Sequence, residues 1–206
     1  MLSQLPKTLR FGLQDLINLI RETNPSINLS LWGKGDAKTA THLIDEVNNG
    51  ECTLELINGV LYRNINVVSI TITYLSPNGL LHLQEKYQIF TDSRPRTRKL
   101  PDRCSVAEKI KIGKEEPRLE AALRAINREE LSEIQAVPVI ASQLQFIRTI
   151  QGENHSSSYP GIITDKTVHI FECVFTDVQF NPKGYTEIQD DKKTHFHWVP
   201  VPSQPV

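Results

Sequence analysis

With 206 residues, the chain is long enough to bury a core without disulfide or metal staples. A formal net charge of -1, with 23% charged residues, argues against a nucleic-acid binder driven by global charge. No stretch approaches the ~20 apolar residues of a membrane span, and no signal-peptide core opens the sequence, so a cytoplasmic protein without a membrane or nucleic-acid partner is expected.

The N-terminal stretch places Leu9, Leu13, Leu16, Ile17 and Ile20 on one face of a helix over about 7–22, stopped by Asn24-Pro25-Ser26. A second helix is expected over 37–48, with Asp36 as its cap and Asn48-Asn49-Gly50 as its end. GKGDAKT at 33–39 lacks the spacing and Gly-Lys-Ser/Thr ending of a phosphate-binding Walker loop, and that reading is rejected. After Gly50 the apolar period changes to two. TLELI and VLYR flank Asn58-Gly59, the signal of a type I′ hairpin. NVVSITITYL, the turn SPNG and LLHLQEKYQIF continue an antiparallel meander.

A basic connection, DSRPRTRKLPDR at 92–103, leads to the short strand VAEKIKI and then to EEPRLEAALRAINREEL at 115–131. Pro117 suits a first helical turn, and Leu119, Ala122, Leu123 and Ile126 make one apolar face. The helix must end before Pro138. SQLQFIRTIQ, VHIFECVFT, GYTEIQD and THFHWVPV read as further strands, the last closing the sheet. The order gives an α+β fold: a mixed or antiparallel sheet around one central helix, with a helical extension over 1–60 and the main domain over 61–206. The three cysteines, Cys52, Cys104 and Cys173, are too scattered for a disulfide framework or a cysteine zinc site and read as buried or idle thiols.

The 115–131 segment resembles the Nudix hydrolase signature, G-x5-E-x7-R-E-U-x-E-E-x-G-U with U a bulky aliphatic residue. Glu116, Arg124, Ile126 and Glu129 match. Ala125 and Arg128 stand where glutamates belong, while Ile110 and Leu131 replace the glycines. A second register, one turn on, matches Glu120, Arg128, Glu129 and Glu133, with Ser132, Gln135 and Lys114 as its failures. The resemblance implies an α/β/α Nudix-like sandwich over roughly 64–200. It also implies helix glutamates that hold Mg2+ or Mn2+, whose bound water attacks a phosphoanhydride in a nucleoside-diphosphate-type substrate. In that role Glu116, Glu129 and Glu133 are the candidate metal ligands. Glu129 and Arg124 are the candidate catalytic pair, with Arg124 orienting a glutamate. Arg94, Arg96 and Arg98 in the basic connection are candidates for the substrate phosphates.

Each feature has a plainer reading. The glutamates can form the wet side of an amphipathic helix, neutralised in part by Arg124 and Arg128. The arginine run can be a solvated loop. His195 and His197 share a strand face without a third ligand, and His155 beside Ser156, Ser157 and Ser158 lacks an acid partner. Trp32, Tyr159 and Trp198 suit hydrophobic anchors better than base-stacking platforms. Three functions follow: a metal-dependent pyrophosphohydrolase acting on a nucleotide-like small molecule, a catalytically inactive binding or regulatory module, or a purely structural or interaction role for the sheet. The N-terminal helices are expected to pack on the core or to make a homodimer contact.

Overall fold

The computed structural model describes residues 10–23, 25–35, 37–91, 95–96, 104–112, 115–131, 137–189 and 192–202. The chain divides into two units. One takes residues through 66, with 111–115 and 151–167; the other takes 67–110, 116–150 and 168 onward.

In the first unit, helix α1 spans Leu13–Thr23. Leu16 and Ile20, four residues apart, are buried, whereas Leu13 is exposed. The expected helix therefore starts later, and its first apolar residue lies off the buried face; Leu9 lies outside the described residues. Helix α2 spans Ala40–Asn48 and opens on Thr39, whose hydroxyl accepts from the His42 backbone while the His42 ring faces the Thr39 N–H. Thr39 is thus the cap; Asp36 lies outside the described residues. The Asn48 side chain accepts from the Phe11 N–H at 3.0 Å and donates to its carbonyl at 2.9 Å, tying the end of α2 to the approach to α1. Strand β1 (Thr53–Ile57) pairs antiparallel with the start of β2 (Val60–Ser76). Asn58 and Gly59 both hold positive φ, 50° and 78°, as a type I′ turn requires.

The second unit carries the rest of β2. The other strands are β3 (Gly79–Phe90), β4 (Pro95–Arg96), β5 (Val106–Lys109), β6 (Leu144–His155), β7 (Ile163–Val174), β8 (Tyr185–Ile188) and β9 (Lys192–Pro200). Parts of β6 and β7 belong to the first unit. The strands follow the order β6-β7-β2-β3-β9-β8, with β5 also on β2 and β4 also on β3. Strand β9 does not close an edge as its place in the sequence suggests: it lies between β3 and β8, antiparallel to both. The short β8 joins it from outside.

Helix α3 spans Arg118–Arg124 and continues as a π-helical turn, Ala125–Glu130. Pro117 stands just outside as its N-cap, with extended backbone. Ala121, Ala122, Ala125 and Ile126 are fully buried against Val68, Ile70, Ile72, Val106, Phe171 and Phe196. Leu119, expected on this face, is 37% exposed. Alanine-sized contacts let the helix sit close to the sheet, and the π turn rotates its second half. The architecture is α+β. No described helix is long and apolar enough to cross a membrane.

Gly184 fixes the entry to β8. Its φ is +80°, and an added Cβ would lie 1.9 Å from the Phe196 carbonyl oxygen. Gly184→Ala is expected to lower the unfolding free energy by about 3 kcal/mol or more, combining left-handed strain with a backbone clash. Urea denaturation checks this; a loss under about 1 kcal/mol would show that the turn relaxes freely.

Candidate functional site

Two predicted residues, Glu116 and Glu129, meet at the guanidinium of a third, Arg124. Arg124 sits in the last turn of α3. Its Nε donates to Glu116 Oε1 at 2.7 Å and its Nη2 to Glu116 Oε2 at 2.8 Å, a two-pronged contact. Nη2 also donates to the Lys109 carbonyl at 2.8 Å, so the end of β5 holds the same group. Nη1 donates to Glu129 Oε2. Two carboxylates and a main-chain oxygen therefore share one cation, whose pKa is held above its ordinary value chiefly by the Glu116 hydrogen bonds, against the opposing effect of burial.

The π turn explains the reach to Glu129. Five residues along an α-helix rotate the side chain about 140° off its starting direction. The wider π turn, with i→i+5 bonding, brings positions five apart over each other. Glu116 approaches from before the helix, and the residue preceding it, Glu115, has a left-handed φ of 49°.

The remaining predicted residues are placed differently. Ala125, at a signature glutamate position, has no exposed surface and belongs to the apolar core. Arg128, at the next such position, is exposed, as is Glu120. Glu133 lies outside the described residues, beyond the last π-helical residue, Glu130. Arg94 and Arg98 also lie outside the described residues. Arg96 is described by its backbone alone, in β4 opposite Gln88.

A divalent ion of the magnesium type needs several oxygen ligands with charge to spare. Both Glu116 oxygens and one of Glu129 are already hydrogen-bonded to Arg124. Among the described residues, no group of three or more His, Cys, Asp or Glu side chains converges as a metal site would require. The described donors do not fit the helix-borne Mg2+ or Mn2+ centre that the resemblance implies.

A second charged cluster lies in the first unit and left no mark in the sequence. Glu46, on α2, is buried and receives Arg63 of β2 through Nε at 3.0 Å and Nη2 at 2.5 Å. Lys38 Nζ reaches its other oxygen at 2.7 Å. The Arg63 guanidinium lies 5.2 Å from the Tyr159 ring centroid, and Trp32 packs against the same ring at 5.3 Å, donating its indole N–H to the Pro160 carbonyl. Burial, then the neighbouring Glu46 charge, raises the Tyr159 phenol pKa. Trp32 and Tyr159 are anchors here, as their isolation in the sequence suggested. A sequence separation of seventeen between Glu46 and Arg63 gives no periodic signal.

The other candidates are structural in their surroundings. The Ser156 hydroxyl accepts from the Tyr159 N–H at 3.0 Å in a turn, and His155 is exposed. His195 packs on Tyr87 at 4.7 Å, and His197 is lowered in pKa, first by desolvation and then by Lys86. Trp198 joins Tyr74, Phe175, Phe180 and Tyr185 in an aromatic cluster and donates to the Asn181 carbonyl at 2.8 Å. All three cysteines are free and buried, and burial pushes the Cys173 thiol up to about 12.

No family model matches the chain. No curated protein matches it either. In structure it is similar to an Ap4A hydrolase of C. elegans, at 11% identity and a TM-score of 0.34, over 66% of this chain and 80% of that one. It is also similar to the Nudix domain of Shewanella oneidensis NrtR, solved with ADP ribose, at 10% identity and a TM-score of 0.39, over 66% and 73%. A third similarity is to T. brucei MERS1, solved with RNA, at 14% identity and a TM-score of 0.37, over 86% of this chain and 64% of that one.

Proposed function

We propose that this chain is a Nudix-like binding or regulatory module, which holds a nucleotide-like, phosphate-bearing small molecule without metal catalysis on its central helix. One observation carries the reading: the helix carboxylates serve an internal ion pair. Both oxygens of Glu116 are engaged by Arg124, and the position of a signature glutamate is the buried Ala125. An alanine in the core cannot donate oxygen to a metal, and a guanidinium between two carboxylates already supplies the cation. The phosphate side of the reading rests on the arginine-rich run at 94–98, whose residue type suits two-pronged phosphate contacts.

The metal-dependent hydrolase is the second reading. It is favoured by the convergence of Glu116 and Glu129 on Arg124, the arrangement in which that arginine would orient a glutamate. Calorimetry with ADP as probe separates the two. The binding module predicts the same dissociation constant with magnesium and with EDTA, and no release of phosphate or AMP. Affinity that vanishes in EDTA, or turnover lost in Glu129→Gln, would overturn it.

A further inference from the structure

Strands β3, β9 and β8 lie side by side, and their register sorts the side chains between two faces. Leu83, Phe196 and Tyr185 belong to the core under the central helix. Glu85 pairs with Phe196, and Glu187 pairs with Thr194, two residues away on β9. These are the carboxylates of the three strands, and both stand on the core side. The opposite face carries none. Across it run a row of Tyr87, His195 and Thr186 and a row of Ile89, Lys193 and Ile188. Lys193 and Ile188 are exposed, as is Lys86 at the bulge beside Tyr87. Lys86 Nζ lies 5.9 Å from the Tyr87 ring centroid, and its charge adds to desolvation in lowering the pKa of His197, so it belongs to this face too. Neighbours hold the half-buried rings in place: Tyr87 and His195 are 4.7 Å apart, and His195 Nδ1 lies 3.2 Å from Thr186 Oγ1.

We infer that this sheet face binds single-stranded nucleic acid, with phosphates on Lys86 and Lys193 and bases against Tyr87 and His195. A net charge of -1 argues against a binder driven by the whole molecule's charge, but not against one face that the fold has cleared of carboxylates. The face combines the two elements that sequence-tolerant single-strand binding uses: cations for the backbone and aromatic rings for the bases. Thr186 and His195 add polar atoms beside the rings. Pro95 of β4 pairs with Ile89, so the basic connection reaches the sheet at the border of this face. Asp190 and Asp191, in the turn past Ile188, lie outside the described residues. A duplex hides its base faces and would leave the rings unused. An anionic membrane is recognised by denser basic clusters, of roughly four or more side chains.

Fluorescence anisotropy of the full chain with a labelled, mixed-sequence single strand of about twelve nucleotides tests this. At about 50 mM salt, saturation is expected between about 1 and about 100 µM protein. Lys193→Glu and Lys86→Glu should each weaken binding about tenfold. Tyr87→Leu should weaken it about fivefold or more. Lys193 is exposed, so its variant should keep the parent's thermal midpoint. Lys34→Glu, the same charge change at an exposed position of the first unit, should leave binding unchanged. Absence of saturation in that range would overturn the inference. So would equal weakening by Lys34→Glu, which would reduce it to diffuse charge, or binding indifferent to Tyr87→Leu. Phosphatidylserine vesicles bound while the single strand stays free would instead assign the face to a lipid surface.

Discussion

Replacing Arg63 with methionine is expected to cost about 3–5 kcal/mol of unfolding free energy. Arg63 and Glu46 are 5% and 4% exposed, and each is the other's principal partner. Removing the guanidinium leaves a carboxylate out of water and without its two-pronged cation, while Lys38, whose side chain is 44% exposed, remains. A lysine ammonium is a point charge on a flexible stem and cannot replace a fork that binds through two nitrogens. Tyr159 loses the cation over its ring as well. The double change Glu46→Gln with Arg63→Met should recover more than half of the loss, since the uncompensated charge is then gone. Urea denaturation of the four members of this cycle gives the coupling directly. A single-variant loss below about 1 kcal/mol would mean that water reaches Glu46 freely.

Arg124→Met should cost less, about 2–3 kcal/mol, because the Glu129 side chain is one-third exposed and can turn to solvent while Glu116 cannot. Two carboxylates that shared a cation would then face each other. Arg124→Lys should recover little, since it cannot serve Glu116, Glu129 and the Lys109 carbonyl together. Glu129→Gln should change stability by under about 1 kcal/mol, as expected of a partly exposed partner. The contrasting outcome, Arg124→Lys matching the parent, would show that charge alone holds the cluster.

The strands were legible because their signals are local. Alternation along β2 shows directly in its burial, and Asn58-Gly59 demanded the two positive φ values that the turn adopts. The partner of β9 was not legible: strand order depends on contacts between distant segments, and nothing local distinguishes an edge from a central strand. In the central helix, the E-x7-R spacing named Glu116 and Arg124 but not their contact, which forms because Glu116 approaches from before the helix. Beyond Arg124, α-helical counting failed. A π turn has no residue code of its own, so the contact from Arg124 to Glu129 could not be read from a period of 3.6. The Glu46–Arg63 pair was invisible because burial of charge is a tertiary event.

In the proposed binding module, the helix carboxylates hold the Arg124 guanidinium and not a metal. Titrating the purified chain with magnesium, and then manganese, by calorimetry tests it most directly, with Glu129→Gln alongside. No saturable heat is expected in either protein. Saturable binding in the parent that Glu129→Gln abolishes would contradict it and restore the hydrolase reading.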